Sequence, residues 1–181
     1  MKELYTVILA AGKSTRFKGA KSKIFQDLAG LPIIVHVYNL AKKTSGKNVI
    51  IVCNKNNFKE LKLLIPNCNF VIQKNQRGTA DAILTAKKFL VNKNFLVLFG
   101  DVPLISISSI NKLKNNFKKN STSGSIIAFK TSEPSGYGRI ISKKDKVEIF
   151  IKKAAIKHIK EKNSIKILSS EIFDFSFFFE N

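Results

Sequence analysis

The sequence predicts an α/β fold with a Rossmann-like, doubly wound and mostly parallel sheet. Short apolar runs of strand length alternate along the chain with amphipathic segments of helical length. Strands separated by helices are normally joined as right-handed βαβ units, which produces such a sheet. The 181 residues are 44% hydrophobic, which is enough for a buried core and suits one domain or slightly more.

The predicted elements follow one another without an internal repeat or a low-complexity linker. Leu4–Ala10 is a continuous apolar run, typical of a strand buried on both faces. The other predicted strands are Asn48–Val52, Asn69–Ile72, Phe95–Phe99 and Ser125–Lys130. Pro32 opens the first predicted helix, and the later helices are Asn57–Leu64, Thr79–Leu90 and Ser108–Phe117. The first helix is amphipathic, and the residues on its apolar face are Ile33, Val37, Leu40 and Ala41. The residues of the third helix that are expected to lie mostly inward are Ala82, Leu84, Ala86 and Leu90.

The formal charge of +20 raises the question of nucleic-acid binding. Of the 32 basic residues only three are arginines, Arg16, Arg77 and Arg139, and the lysines are spread along the chain. Arginine is the preferred residue for bidentate contacts with phosphates and guanine edges. We therefore interpret the lysines as solvated surface residues and expect no specific nucleic-acid partner, although a basic surface attracts nucleotides and other polyanions.

No feature of the sequence predicts a membrane partner or export. No apolar run approaches the ~18 residues needed to span a bilayer, and the first residues lack the pattern of a signal peptide. Cys53 and Cys68 match no metal or redox spacing, so we expect buried thiols in a reducing cytoplasm.

The loop after the first strand is a candidate phosphate-binding loop. Residues 9–16 read LAAGKSTR. Small residues let a ligand approach the backbone, successive N–H groups can bind anionic oxygens, and Lys13 and Arg16 add positive charge. The spacing is neither that of a Walker loop nor that of a dinucleotide fingerprint, and such a turn taken alone is often only a connection.

Three later segments carry further motifs, and those that follow Ile72 and Phe99 fall at loops beyond the carboxyl ends of strands, where ligands bind in open α/β sheets. Residues 73–82 read QKNQRGTADA, residues 98–105 read LFGDVPLI, and residues 136–140 read GYGRI. The Gln73 amide can both donate and accept, which suits the imide edge of uracil. Gly78 and Thr79 are equally compatible with the start of a helix. A carboxylate at a strand end, as at Asp101, can bind Mg²⁺ between phosphates.

Together, and in this order, the segments resemble the uridylyltransferase domain of the bifunctional enzymes that also acetylate glucosamine-1-phosphate. The first loop is similar to the L-A-A-G-x-G-T-R signature of nucleotidyltransferases, with Ser14 replacing the second glycine, and Lys23 stands where that family has a lysine. The later segments are similar to Q-x-x-x-x-G-T-x-x-A, G-D-V-P-L-I and G-Y-G-R. The resemblance covers residues 4–147 and implies a fold of the nucleotide-diphospho-sugar transferase type.

The resemblance implies transfer of UMP from UTP to N-acetylglucosamine-1-phosphate, with Mg²⁺ as cofactor. It assigns Asp101 to the metal, Arg16 and Lys13 to the pyrophosphate, and Lys23 to the α-phosphate. Because the acceptor phosphate is already an anion, catalysis would rest on alignment and charge stabilisation without a general base. The residues implied to bind substrate are Leu9, Ala10, Ala11, Gly12, Lys13, Gln73, Gly78 and Thr79, with Gly138 facing the acceptor sugar.

After Val147 we recognise no further element of the family. Where the family is expected to have a glutamate, the nearest residue is Lys152. The segment that lies nearest to the family's Asn-Thr/Ser-Gly element is Ser169-Ser170-Glu171. We therefore expect a nucleotidyltransferase domain over residues 1–147 and a divergent or truncated remainder over 148–181, with no β-helix acetyltransferase domain. Without that domain a monomer is expected. The aromatic tail at 172–181 is an aggregation hazard unless it packs.

Three alternatives stay open from the sequence. The chain could bind UTP without turnover, because the expected acceptor and metal groups after Val147 are not recognised. It could be another sugar-phosphate nucleotidylyltransferase, although residues 73–82 and 136–139 argue against the cytidylyl and guanylyl types. A general polyanion binder would show a steep salt dependence and no preference among nucleotides.

Overall fold

The structure is a computed structural model, and it describes residues 3–12, 22–119, 124–130, 139–143, 146–151, 171–172 and 177–179. The chain divides into two compact units, which we describe separately. The first comprises residues 1–126 and 176–181, and the second comprises residues 127–175.

A six-stranded sheet forms the centre of the first unit. Its strands, in chain order, are β1 (Leu4–Leu9), β4 (Val49–Cys53), β5 (Asn69–Ile72), β6 (Asn94–Phe99), β7 (Gly124–Ile126) and β12 (Phe177–Phe179). The spatial order is β5-β4-β1-β6-β12-β7. Strands β5, β4, β1 and β6 run parallel, and β12 is antiparallel to both of its neighbours. The predicted doubly wound, mostly parallel sheet is thus confirmed.

The aromatic tail supplies one strand of this sheet. Residues Phe177–Phe179 pair with Phe95–Val97 on one side and with Gly124–Ile126 on the other. The backbone of this segment is therefore paired on both edges, which removes the unpaired edge that makes apolar strands prone to aggregation.

Helices and short connections complete the first unit. A 3₁₀ turn at Lys23–Phe25 precedes a hairpin of β2 (Asp27–Leu28) and β3 (Leu31–Pro32). The helices are α1 (Ile33–Ser45), α2 (Phe58–Leu64), α3 (Thr79–Thr85), α4 (Lys87–Leu90) and α5 (Ile107–Lys119). None of the helices in the described part of the chain is long and apolar enough to cross a bilayer.

Two predicted helical faces need correction. In α1 the buried residues are Ile34, Val37 and Ala41, whereas Ile33 and Leu40 are only half-buried. The segment predicted as one helix, Thr79–Leu90, is two, with the break at Ala86. Its predicted inward residues Ala82, Ala86 and Leu90 are buried, but Leu84 is 65% exposed. Leu84 lies two positions from both Ala82 and Ala86, roughly 200° around a helix, so it faces solvent.

Many of the buried core residues belong to the parallel strands. Every residue of Val49–Cys53 is buried, as expected for a strand covered on both faces. Cys53 is fully buried, as predicted, and burial raises the pKa of its thiol to about 11. Cys68 precedes β5 and is half-buried rather than buried, with its thiol pKa raised by burial to about 12. Both thiols are protonated at neutral pH, which suits unreactive structural cysteines.

The second unit contains two short antiparallel pairs. Strands β9 (Arg139–Lys143) and β10 (Lys146–Ile151) form one pair, with a register shift between Val147 and Ile149. Strands β8 (Phe129–Lys130) and β11 (Glu171–Ile172) form the other. The predicted strand Ser125–Lys130 is therefore divided between β7 and β8, which belong to different sheets.

Candidate functional site

The carboxyl ends of β1, β4, β5 and β6 lie at one edge of the sheet, and the predicted site residues of the first unit follow three of them. Leu9 ends β1, and Ala10 and Ala11 behind it are buried, whereas Gly12 is exposed. The Ala10 N–H donates to Val52 O of β4 at 2.8 Å. The start of the candidate phosphate loop is thus fixed to the neighbouring strand. Lys13 and Arg16, assigned to the pyrophosphate, lie outside the described residues.

Side-chain amides hold the backbone of this loop. The buried Asn57 donates through Nδ2 to Ala10 O at 2.7 Å, and Asn54 donates through Nδ2 to Ala11 O at 3.1 Å. The Gln76 amide also donates to Ala11 O. Because the two carbonyls are engaged on the protein side, the peptide groups that follow β1 are held in one orientation.

These amide residues were not among the predicted site residues. Asn54 and Asn57 follow the carboxyl end of β4, and the same rule that selected the loops after Ala10, Ile72 and Phe99 would have selected this loop as well. Asn57 also accepts the Asn54 N–H at its Oδ1, at 2.9 Å. Gln76 lies within the predicted segment 73–82, but its contact with Ala11, 65 residues away, depends on the fold.

Lys23 and Asp101 are brought together by the structure although 78 residues separate them. The Lys23 Nζ lies 3.2 Å from Asp101 Oδ2, and the two side chains are 49% and 42% exposed. Gly100, directly before Asp101, donates its N–H to Leu9 O at 2.9 Å. A Cβ on Gly100 would lie 3.1 Å from Leu9 O and 3.0 Å from Ile34 Cδ1. Glycine at this position therefore permits the close approach that places Asp101 beside the end of β1.

The donor set at Asp101 suits a metal that takes most of its ligands from phosphates. Asp101 offers a partly exposed carboxylate, and within the described part of the chain no group of three His, Cys, Asp or Glu residues could hold a metal ion. Mg²⁺ is commonly held by one or two carboxylates together with substrate phosphates and water, rather than by an all-protein cage. Asp101 therefore fits Mg²⁺ that is bound jointly with a nucleotide.

The loop after β5 carries the predicted base-reading residue. Gln73 is only 5% exposed, and its N–H donates to Cys53 O at 2.8 Å. Its Nε2 donates to Asp81 Oδ2 at 2.7 Å and to Gly78 O at 3.4 Å. Gly78 has φ +120° and ψ −173° and lies directly before α3, which begins at Thr79. This backbone conformation is essentially restricted to glycine, so Gly78 has a structural role whether or not it contacts a ligand.

Asp81 completes this loop and was also missed from the sequence. It accepts the hydrogen bond from Gln73 and pairs with Arg77, whose Nη2 lies 3.2 Å from Asp81 Oδ1. The hydrogen bond from Gln73, followed by the charge of Arg77, lowers the pKa of Asp81 below its ordinary value of 3.8, although burial opposes the shift. Asp81 is therefore a carboxylate at neutral pH. The spacing of four residues between Arg77 and Asp81 was the signal in the sequence that could have indicated this ion pair.

The structure thus gathers most of the predicted residues at one edge of the sheet and leaves some untested. Three loops converge there, after β1, β5 and β6, and a fourth loop after β4 supports the first. Gly138, assigned to the acceptor sugar, lies outside the described residues. The Lys23–Asp101 pair at this edge is partly exposed, whereas Gln73 in the loop after β5 is buried.

Comparison with known proteins identifies a matching family model. The model of the MobA-like NTP transferase domain matches residues 6–156. A solved structure titled as a putative glucose-1-phosphate thymidylyltransferase from Bacillus anthracis in complex with a sucrose superposes with a TM-score of 0.78. That match covers 98% of this chain and 71% of the other at 15% sequence identity, so it supports the fold alone.

Relatives at higher identity carry the name "Bifunctional protein GlmU". The protein from Buchnera aphidicola subsp. Schizaphis graminum is 44% identical over 149 residues, which is 81% of this chain and 32% of the relative. The protein from Buchnera aphidicola subsp. Acyrthosiphon pisum (strain Tuc7) is 40% identical over 174 residues, covering 94% of this chain and 37% of the relative. The protein from Desulfotalea psychrophila is 37% identical over 142 residues, covering 77% and 42%. This chain therefore spans about a third to two fifths of the length of these relatives.

The longest of these alignments bears on the segment after Val147. An alignment of 174 residues in a chain of 181 includes residues beyond Val147. Similarity to this relative therefore continues into the region where the sequence shows no further recognisable element of the family.

Proposed function

This chain belongs to the family of MobA-like NTP transferases, and we propose that its reaction is the Mg²⁺-dependent transfer of UMP from UTP to N-acetylglucosamine-1-phosphate. The family match and the relatives confirm the nucleotidyltransferase recognised from the motifs. The products would be UDP-N-acetylglucosamine and pyrophosphate. One observation carries the proposal: Gln73 and Asp101 follow the carboxyl ends of β5 and β6, and Lys23, from a third distant segment, lies 3.2 Å from Asp101.

In the proposed site, different residues would bind different parts of the two substrates. Gln73 and the Gly78–Thr79 turn would bind uracil, and the backbone from Leu9 to Gly12 would lie against the nucleotide. Lys23 would stabilise negative charge on the α-phosphate, as its exposed ammonium can leave Asp101 at little cost in free energy. Mg²⁺, when bound at Asp101 together with the nucleotide, would neutralise phosphate charge. Lys13 and Arg16 would hold the departing pyrophosphate, and Gly138 would face the acceptor sugar.

The transfer itself balances without a general base. A phosphate oxygen of the acceptor forms a bond to the α-phosphorus of UTP, and the bond from that phosphorus to the bridging oxygen of pyrophosphate breaks. The attacking oxygen is already anionic, so the protein has only to align the two phosphates and stabilise the charge. Lys23 lies 3.2 Å from the carboxylate that would anchor the metal, so the ammonium and the bound metal would act on the same group of phosphates.

Calorimetric titration with UTP, CTP, ATP and GTP, with Mg²⁺ at moderate salt, tests the nucleotide specificity. Selective UTP binding supports the proposal. Equal weak binding of all four nucleotides that fades as salt rises would mean a general polyanion surface and would overturn it.

Pyrophosphate release in the presence of N-acetylglucosamine-1-phosphate tests the reaction. Release that needs both substrates and Mg²⁺ supports UMP transfer, and replacing the acceptor by glucose-1-phosphate or glucosamine-1-phosphate tests the sugar. Selective UTP binding without release would instead establish a nucleotide-binding chain and overturn the catalytic proposal.

A further inference from the structure

The amide of Gln73 is surrounded by acceptors on one side. Nε2 lies 2.7 Å from Asp81 Oδ2 and 3.4 Å from Gly78 O. A carboxylate and a carbonyl can only accept hydrogen bonds, so the NH₂ group must face them, and the opposite orientation of the amide would place three oxygens together. The orientation of the Gln73 amide is therefore imposed by the chemistry of its neighbours.

Asp81 contributes most of this restraint. The 2.7 Å contact to its carboxylate is short and charge-assisted, whereas 3.4 Å to Gly78 O is beyond the usual length of an N–H···O bond. Asp81 is itself held by Arg77, whose guanidinium lies 3.2 Å from the other carboxylate oxygen. One side of the carboxylate thus faces the buried amide, and the other faces a largely exposed cation.

With the NH₂ group engaged, Oε1 is the atom that Gln73 has left for a ligand. The structure shows no hydrogen bond to Oε1 from any residue that it describes. A lone acceptor selects a ligand edge that presents a donor. Uracil carries an N–H donor at N3, whereas cytosine has an acceptor nitrogen at that position, whose lone pair would face the lone pairs of Oε1.

We propose that Asp81 is a positioning residue that fixes the Gln73 amide with Oε1 toward the ligand and thereby makes the base site selective for an imide N–H over cytosine. The inference rests on the proposed function, since it deepens the role of Gln73 in that site. It also limits the role of this pair: thymine has the same N3–H group, so Asp81 and Gln73 do not distinguish uracil from thymine.

The test compares the dissociation constants of UTP and CTP, both with Mg²⁺, for the whole chain and its Asp81→Asn variant. An asparagine of nearly the same shape can offer either its oxygen or its NH₂ group to Gln73, so the amide loses its single imposed orientation. We expect the CTP-to-UTP ratio of dissociation constants to fall by roughly five- to tenfold. Weaker UTP binding and equal or tighter CTP binding should both contribute.

Two further variants separate positioning from a general structural effect. Arg77→Gln removes an ion pair whose cation is 74% exposed and which therefore restrains Asp81 only weakly, and it leaves the carboxylate facing Gln73. Its ratio should stay within about twofold of the unmodified chain. In a Gln73→Ala background, Asp81→Asn should leave the ratio unchanged because the amide that it orients is gone. Thermal unfolding of each variant establishes that it is folded before it is titrated.

The outcomes separate failure of the proposed uridine site from failure of the positioning role of Asp81. If the unmodified chain does not prefer UTP, the proposed uridine site and this inference fall together. If it prefers UTP and folded Asp81→Asn keeps that preference, or loses affinity for UTP and CTP equally, the positioning role alone is overturned. An effect of Asp81→Asn that persists without Gln73 would overturn it as well.

Discussion

Gln73 is 5% exposed and its amide is held by two acceptors, whereas Lys23 and Asp101 form a pair whose side chains are 49% and 42% exposed. The proposed base side of the site is thus held before any ligand binds, through partly buried hydrogen bonds and a backbone conformation at Gly78 that is essentially restricted to glycine. The proposed phosphate side has charges that pair weakly with each other and can exchange partners. Recognition of a flat, neutral base favours a rigid acceptor, whereas a metal–triphosphate brings its own ligands and needs charges that can move.

The largest loss of activity is expected when the Asp101 carboxylate, which would anchor the metal, is removed. We expect Asp101→Ala to reduce pyrophosphate release by roughly 100-fold or more. Its thermal unfolding should change little, since substitutions of exposed residues rarely shift stability by more than about 0.5 kcal/mol. Steady-state kinetics and thermal unfolding of the same preparation measure the two effects.

A matched control exists at another exposed aspartate. Asp27 accepts the Gly30 N–H at 3.0 Å through Oδ1, and Asp27→Asn retains that oxygen and removes only the charge. Its activity should stay within about twofold of the unmodified chain, because Asp27 is not among the residues proposed to bind the nucleotide or the metal. Parallel loss of activity and folding in Asp101→Ala would show a structural role for Asp101 and refute the metal assignment.

The proposed base side can be perturbed through the backbone conformation of Gly78. Gly78 has φ +120° and ψ −173°, and an alanine forced into this conformation carries strain of about 1–3 kcal/mol. We expect Gly78→Ala to lower the free energy of unfolding by that amount and also to weaken UTP binding, because relief of the strain moves the loop that holds Gln73. Denaturant unfolding and calorimetry check the two parts.

Gly46 provides the comparison for that variant. It has φ +60° at the end of α1, and a Cβ added there would meet no atom within 4 Å. Gly46→Ala is therefore strained through its backbone as well, but it lies outside the loops of the site. It should lower stability and leave UTP affinity unchanged. If both glycine variants weaken UTP binding in proportion to their loss of stability, the local explanation for Gly78 is wrong.

The hydrogen bonds of Asn57 that hold the candidate phosphate loop can be removed without removing a charge. Asn57→Ala removes the donor to Ala10 O, in a buried hydrogen bond, and the acceptor for the Asn54 N–H, in a partly buried one. Leaving such groups unpaired costs about 1–3 kcal/mol, so the free energy of unfolding should fall by this amount. Asn39, an exposed asparagine on α1, is the control, and Asn39→Ala should stay within about 0.5 kcal/mol. A loss no larger in Asn57→Ala would mean that the loop carbonyls find other partners.

The sheet and part of the candidate site could be predicted from the sequence. Alternating apolar and amphipathic segments predicted the parallel sheet, and the sheet topology then indicated which loops would lie together. Gln73 and Asp101 were recognised because each follows a strand and belongs to a longer motif. These inferences depend on local pattern, which one sequence contains.

What could not be predicted depends on contacts between distant segments. The role of Asp81 requires knowing that its carboxylate reaches Gln73, and the role of Asn57 requires knowing that its amide meets Ala10 O, 47 residues away. Leu84 was misplaced because an apolar residue was given priority over helical period. The pairing of Phe177–Phe179 between β6 and β7 joins segments too distant for any local pattern to indicate.

The smallest expected effect concerns a second exposed lysine–carboxylate pair, at the opposite end of β1 from the site. Glu3 lies 2.9 Å from Lys93 Nζ and also accepts from Asn48 at 2.8 Å. The hydrogen bonds from Lys93 and then Asn48 lower the pKa of Glu3 below its ordinary value of 4.5, and Glu3 raises the pKa of Lys93 above 10.5. The carboxylate contribution is therefore present above pH 4.5 and is lost as pH falls through the lowered pKa of Glu3. The ammonium contribution is present below pH 10.5 and is lost as pH rises through the raised pKa of Lys93.

We expect Glu3→Gln to lower the melting temperature slightly near pH 7, with a difference that shrinks below pH 4.5 and no change in UTP affinity at any pH. Melting curves across that range measure it, and a difference that instead grew as the pH fell would show that Glu3 stabilises the fold through something other than its charge.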